Sequence, residues 1–189
     1  MPVTLGAHAE HGFDQPLGLL SDCHRRIEHF LGILVKVRED CRGGVLTDEH
    51  RRAIEASLNY FDAFAPRHTE DEERSLFPRL RGLNRAGLRE ALQTLDELEA
   101  EHATASMLHR QVHTWFRTWL GSGTLAGPNE LELEQALGAL QELYRRHIDV
   151  EEREVFPLAG EVLSQDQLVQ LGREMAERRG LSTAMVPSA

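Results

Sequence analysis

Two stretches of the sequence share the string H-x-x-x-E-E-R-x-x-F-P, once from His68 to Pro78 and again from His147 to Pro157, an offset of 79 positions. Two isolated histidines, His24 and His102, stand 78 positions apart, so a whole helix pair reads as duplicated. Such a repeat predicts a pseudo-two-fold arrangement in which each half brings matching side chains to one centre. The spacing within the string is helical. Residues four apart on an α-helix lie about 40° from each other around the axis and about 6 Å along it. An imidazole and a carboxylate at i and i+4 therefore project to the same side, one turn apart.

The rest of the chain agrees with helices throughout. No stretch alternates with period two, and β-branched residues are sparse. A first helix is expected to start at Asp14 and Pro16 and to close at Gly43 and Gly44. Thr47 can cap a second, running toward Phe77 and Pro78; a third fits Leu88 to Leu120; a fourth covers Glu130 to Val155 and stops at Phe156 and Pro157. A shorter fifth begins at Ser164, whose spacing to Gln167 matches a capping box. Apolar residues recur at intervals of three and four, placing Leu20, Ile27 and Leu34 on one face of the first helix and Leu95, Phe116 and Leu120 on one face of the third. The predicted fold is all-α: an up-down-up-down four-helix bundle over residues 16–162, preceded by a poorly ordered arm (1–15) and followed by a C-terminal helix (163–180) and a tail (181–189).

Each apolar seam is interrupted by ionisable residues, and these carry the chemistry. One H-x-x-x-E pair on a helix is ordinarily a solvated polar pair. Two copies on inward seams, with His24 and His102 on the matching helices, are different. Burying two carboxylates and four imidazoles would cost several kcal/mol per charge without compensation. A cation pair compensates: two carboxylates bridging metals about 3.5–4 Å apart, with imidazoles completing each, satisfies all six groups. Carboxylate and imidazole donors without cysteine favour iron or manganese over structural zinc.

Composition narrows the rest. A net charge of −10 argues against nucleic acid, which demands clustered Lys and Arg. Apolar runs fall far short of the ~20 residues of a membrane span, and the first fifteen residues lack the pattern of a secretory signal. Two cysteines, Cys23 and Cys41, make no disulfide framework, which points to a reducing cytoplasm.

With one histidine on helix one, H-x-x-x-E on helix two, one histidine on helix three and H-x-x-x-E on helix four, the sequence resembles the hemerythrin-like (HHE cation-binding) domain family over about residues 16–162. The resemblance implies a non-haem di-iron centre, carboxylate- and oxo/hydroxo-bridged, with ligands His24, His68, Glu72, His102, His147 and Glu151. One iron would take His24 and His68, the other His102 and His147. Oxygen carriers of this family place a further histidine four residues after the one on helix three. Here that position is Ser106. Both irons would keep exchangeable positions, which suits a protein that binds or reacts with oxygen, nitric oxide or peroxide in sensing or stress response better than a carrier. Iron buffering, repair of iron–sulfur centres, and enzymatic consumption of peroxide or nitric oxide are the alternatives.

Four further residues sit where they could support that centre. Glu99 is expected either to hydrogen-bond a ligand imidazole or to pair with a polar residue across the bundle, Ser106 to leave space beside the second iron, His109 to provide a proton path or simple packing, and Tyr144 to face an iron-bound ligand or pack. Pro66 should kink the second helix, and Glu73 and Glu152 are expected to point outward.

Overall fold

The computed structural model describes residues 10–83 and 89–181. They form an all-α bundle, with no strand among the described residues. Its helices are α1 (Pro16–Cys41), α2 (Asp48–Ala63), α3 (Ala65–Asp71), α4 (Phe77–Arg81), α5 (Arg89–Ser122), α6 (Pro128–Val150), α7 (Phe156–Val162) and α8 (Gln165–Arg178). Single π-helical turns, Glu72–Leu76 and Glu151–Val155, join α3 to α4 and α6 to α7. The four rods of the bundle are thus α1, α2 to α4, α5 and α6 to α7.

The expected stops at the two Phe-Pro pairs are not stops, and the reason is local. A proline inside a helix donates no N–H, and its ring presses on the carbonyl four residues back. In both rods the chain widens by one residue just before the proline: Phe77 N–H bonds Glu72 O, and Phe156 N–H bonds Glu151 O, five residues back. The widened turn lets the helix pass through Pro78 and Pro157. The break near Pro66 comes at Phe64, between α2 and α3.

Thr47 and Ser164 make full capping boxes, with His50 and Gln167 as reciprocal partners. Asp14 does not cap α1; Gln15 holds that position without a side-chain bond, and Pro16 alone marks the start. The far end of the bundle is closed by interlocked loops, where Leu125 N–H donates to Gly43 O and Trp119 Nε1 to Gly44 O. Gly43 has φ +72, and a Cβ there would lie 1.8 Å from Leu125 O.

The seam of α5 differs from the expected one. Leu95, Leu98, Ala105, Val112, Phe116 and Trp119 are buried, whereas Ser106 is exposed and Glu99 and His113 are partly so. The inward face keeps its steps of seven but runs through 98, 105, 112 and 119, one residue before the expected 99, 106, 113 and 120. The start expected at Leu88 and the tail beyond 181 lie outside the described residues, as do residues 1–9 of the arm.

The core falls into two apolar clusters. One, from Ile27 and Phe30 to Trp119 and Leu143, fills the bundle toward the interlocked loops. The other, from Leu19 and Leu20 to Phe156 and Met175, is covered by α8. Between the two lies a polar layer. Helix α8 is fastened to that layer's edge: Arg178 Nε and Arg179 Nη2 meet the fully buried Asp71 at 2.6 and 2.7 Å. Removing one partner of a buried ion pair leaves the other charges uncompensated. Asp71→Ala is therefore expected to cost about 3–5 kcal/mol, read as a fall in the urea midpoint at unchanged slope; a loss under about 1 kcal/mol would show that α8 is held by its apolar face alone.

Candidate metal centre

The polar layer is built from one or two residues of each rod. His24 comes from α1, His68 from α3, Glu72 from the first π-turn, His102 from α5, His147 from α6 and Glu151 from the second π-turn. Glu72 and Glu151 are fully buried, and His24, His68 and His147 nearly so. Their donor atoms form two groups, His24–His68–Glu72–Glu151 and Glu72–His102–His147–Glu151, each with all atoms within 4.8 Å of one another. The carboxylates belong to both groups and the imidazoles divide two and two.

Distances across the layer are short. His24 Nε2 and Glu151 Oε2 are 3.0 Å apart, and His147 Nε2 and the same oxygen 3.3 Å. Glu72 Oε1 lies 3.3 Å from His68 Nε2, and Glu72 Oε2 3.3 Å from His102 Nε2. None of the four carboxylate oxygens has a hydrogen-bond partner, despite these approaches. Four buried, unpaired carboxylate oxygens facing four imidazole nitrogens are a strong anomaly in a folded core, where polar groups are normally satisfied. The donor set fits a pair of cations, which would satisfy every one of these atoms at once.

The outer edges of the imidazoles are held by a second ring of carboxylates. His24 Nδ1 meets Glu152 Oε1 at 2.7 Å, His102 Nδ1 meets Glu73 Oε1 at 2.9 Å, and His147 Nδ1 meets Glu101 Oε2 at 3.0 Å. Such bonds fix which ring nitrogen faces inward and raise its basicity. Glu73 and Glu152 thus point inward at their neighbours' imidazoles rather than outward. Glu99 does not serve an imidazole; its carboxylate takes a bond from Arg81 at 2.6 Å. His68 is the exception among the four, since its Nδ1 is buried without a partner.

The repeated string is now legible in full. Its histidine and first glutamate enter the polar layer, and its second glutamate holds the lone histidine of the other half. Its phenylalanine lies parallel to that same ring: Phe156 stacks on His24 at 5.3 Å and Phe77 on His102 at 6.2 Å. Its arginine makes an exposed pair with the preceding turn, Arg74 with Glu70 and Arg153 with Asp149.

Electrostatics match a site made for cations. Burial disfavours a charged His24, but Glu151 and Glu152 outweigh it and push its pKa up to about 10. His102 is raised to about 9, Glu72 and Glu73 again overcoming burial. Burial and the charge of His24 hold His68 well below its ordinary value. Glu72 is raised to about 7 by burial and by Glu151, whereas the imidazoles of His147 and His24 hold Glu151 below the usual carboxylate range in spite of burial. With no ion, protons take the place of positive charge.

Tyr144 Oη and His109 Nε2 are 2.8 Å apart, and the Tyr144 ring stands edge-on to His147 with centroids 6.5 Å apart. Ser106, exposed, accepts from Arg110 Nη1 at 2.9 Å and lines the mouth of a cavity that opens beside the layer.

If Glu152 and Glu73 position imidazoles, Glu152→Ala or Glu73→Ala should weaken metal retention by about 10–100-fold. Glu99→Ala, which breaks only a partly exposed pair with Arg81, should change it by less than about twofold. Chelator competition measures all three, and equal losses would refute the assignment.

Comparison with known proteins agrees with this geometry. A protein of Haemophilus influenzae described as "Uncharacterized protein" is 29% identical over 171 residues, covering 88% of this chain and 91% of the relative. Residues 15–159 match the family model described as "Hemerythrin HHE cation binding domain". That match takes in both copies of the string and both lone histidines, and the chain belongs to the hemerythrin HHE cation-binding family.

Proposed function

We propose that the chain is a non-haem di-iron protein with ligands His24, His68, Glu72, His102, His147 and Glu151, which binds or reacts with oxygen, nitric oxide or peroxide in sensing or stress response. The observation that carries this reading is the sharing of Glu72 and Glu151 between two donor groups with two imidazoles each. Two imidazole nitrogens and two carboxylate oxygens, with an oxo or hydroxo bridge, would leave each ion short of a six-donor shell, and iron so held offers exchangeable positions to a small ligand. The four imidazoles, together with Tyr144 and His109, border the cavity through which such a ligand would arrive. Burial raises the Tyr144 phenol above its ordinary pKa, so Tyr144 Oη keeps its proton, which is free to meet a ligand there when His109 Nε2 is the donor of their shared bond. That favours reactivity over simple iron buffering. No helix among the described residues is long and apolar enough to cross a membrane, and a cytoplasmic location stays part of the proposal.

Two ions per chain are expected after anaerobic loading with ferrous iron, measured by metal analysis and magnetic coupling. A reproducible single ion would overturn the two-iron reading. Optical spectra under oxygen, peroxide and nitric oxide, with turnover followed, separate a binder from an enzyme.

Metal uptake should also release protons. The raised values of His24 (about 10) and His102 (about 9) mean that both rings are charged near pH 7.5 in the metal-free protein. Only neutral imidazole binds metal. Apparent affinity should therefore keep rising through pH 9, instead of levelling above the ~6.5 of an isolated imidazole. Competition titrations at several pH values test this; a plateau from pH 7.5 upward would contradict it.

A further inference from the structure

A cavity of about 530 Å³ rises from the faces of His24, His68, His102 and His147 toward the interlocked loops. Its lining runs from His24 to Leu34 along α1 and from His102 to Thr114 along α5, a length of about 15–18 Å at ~1.5 Å per helical residue. A water-sized molecule occupies roughly 30 Å³. Oxygen, nitric oxide or peroxide would leave most of this space unused, whereas cavities of about 300–1,000 Å³ are those that enclose organic ligands.

The lining sorts by chemistry. Leu34, Leu58, Phe61 and Val112 make an apolar wall. Within reach of the imidazole floor stands one polar pair, Tyr144 Oη and His109 Nε2 at 2.8 Å. If the tyrosine donates, His109 keeps a proton on Nδ1; if the histidine donates, the tyrosine keeps its own. Either way the pair retains one polar hydrogen for a third group. At the mouth, His113 Nε2 and Asp62 Oδ2 approach to 3.3 Å across α5 and α2, both partly exposed. An apolar body, one internal donor and a polar rim are the parts of a site for an amphiphilic small molecule.

We propose that this cavity binds an organic molecule with an apolar body and one oxygen head group, of which a short- or medium-chain monocarboxylate is the simplest kind. The chain lies along Leu58, Phe61 and Val112, and the head takes the hydrogen offered by Tyr144 and His109 at the imidazole floor. This goes beyond the proposed diatomic or peroxide ligand and makes that small ligand one of two occupants of the same chamber.

The test is a calorimetric titration of the full chain, loaded with redox-silent zinc, using acetate, butanoate, hexanoate and octanoate. Affinity should rise about fourfold per methylene, and Val112→Phe, which fills the wall, should remove at least tenfold of the octanoate affinity with zinc content and unfolding midpoint checked. Tyr144→Phe should weaken every member by about three- to tenfold and leave the increment per methylene as it was, so the proposal stays testable if the bulky variant misfolds. No dependence on chain length, or an increment that survives Val112→Phe in a folded protein, would overturn the proposal. Failure of the metal reading would show separately, as no zinc uptake; the same series run on the metal-free protein then decides the cavity by the same criteria.

Discussion

Two buried glutamates whose carboxylate oxygens lack a hydrogen-bond partner lie at the centre of this protein, and the remainder of the structure follows from having to keep them there. A carboxylate in a dry core is tolerated only where positive charge meets it. Glu72 and Glu151 are met by four imidazoles, and the imidazoles are steadied from behind by Glu152, Glu73 and Glu101. The arrangement carries more negative than positive groups, so it is complete only with cations added. Two apolar clusters on either side fix how far apart the four rods stand, and thus how closely the donors approach.

Much of this could be read from the sequence, because a duplicated string with helical spacing has few foldings. The bundle, the six inward side chains and the caps at Thr47 and Ser164 all follow from local rules. What escaped was register. The second glutamate of the string lies about 100° from the first on a regular helix, which is why Glu73 and Glu152 read as outward. The π-turn that begins at the first glutamate changes the local winding, and from there Glu73 and Glu152 reach the imidazoles of the opposite half. Recurrence in both copies did not distinguish them, because Arg74 and Arg153 recur in the same string and are exposed. Of the two readings of Glu99, the polar pair across the bundle is the one found, since the long α5 carries it away from the centre and toward Arg81.

The prolines deserve the same physical reading. Each would clash inside a regular helix, and each follows a turn that is one residue too wide. The turn that eases the proline is also the turn that presents two adjacent glutamates to opposite edges of one imidazole, Glu151 and Glu152 to His24 and Glu72 and Glu73 to His102. One local deformation thus solves a backbone problem and a ligand-orientation problem together.

The duplication is imperfect at one place. His147 is steadied by Glu101, the residue before His102; shifting back 78 positions, the residue before His24 is Cys23. A thiol stands where the other half has a carboxylate, and it is already engaged by Arg26 at 3.1 Å. His68 accordingly has no partner at Nδ1. Three imidazoles are made better electron donors by their neighbours and the fourth is not. The two donor groups are therefore unlike, the one containing His68 less strongly donating than its twin, so that a sequence written as a repeat yields a centre with polarity.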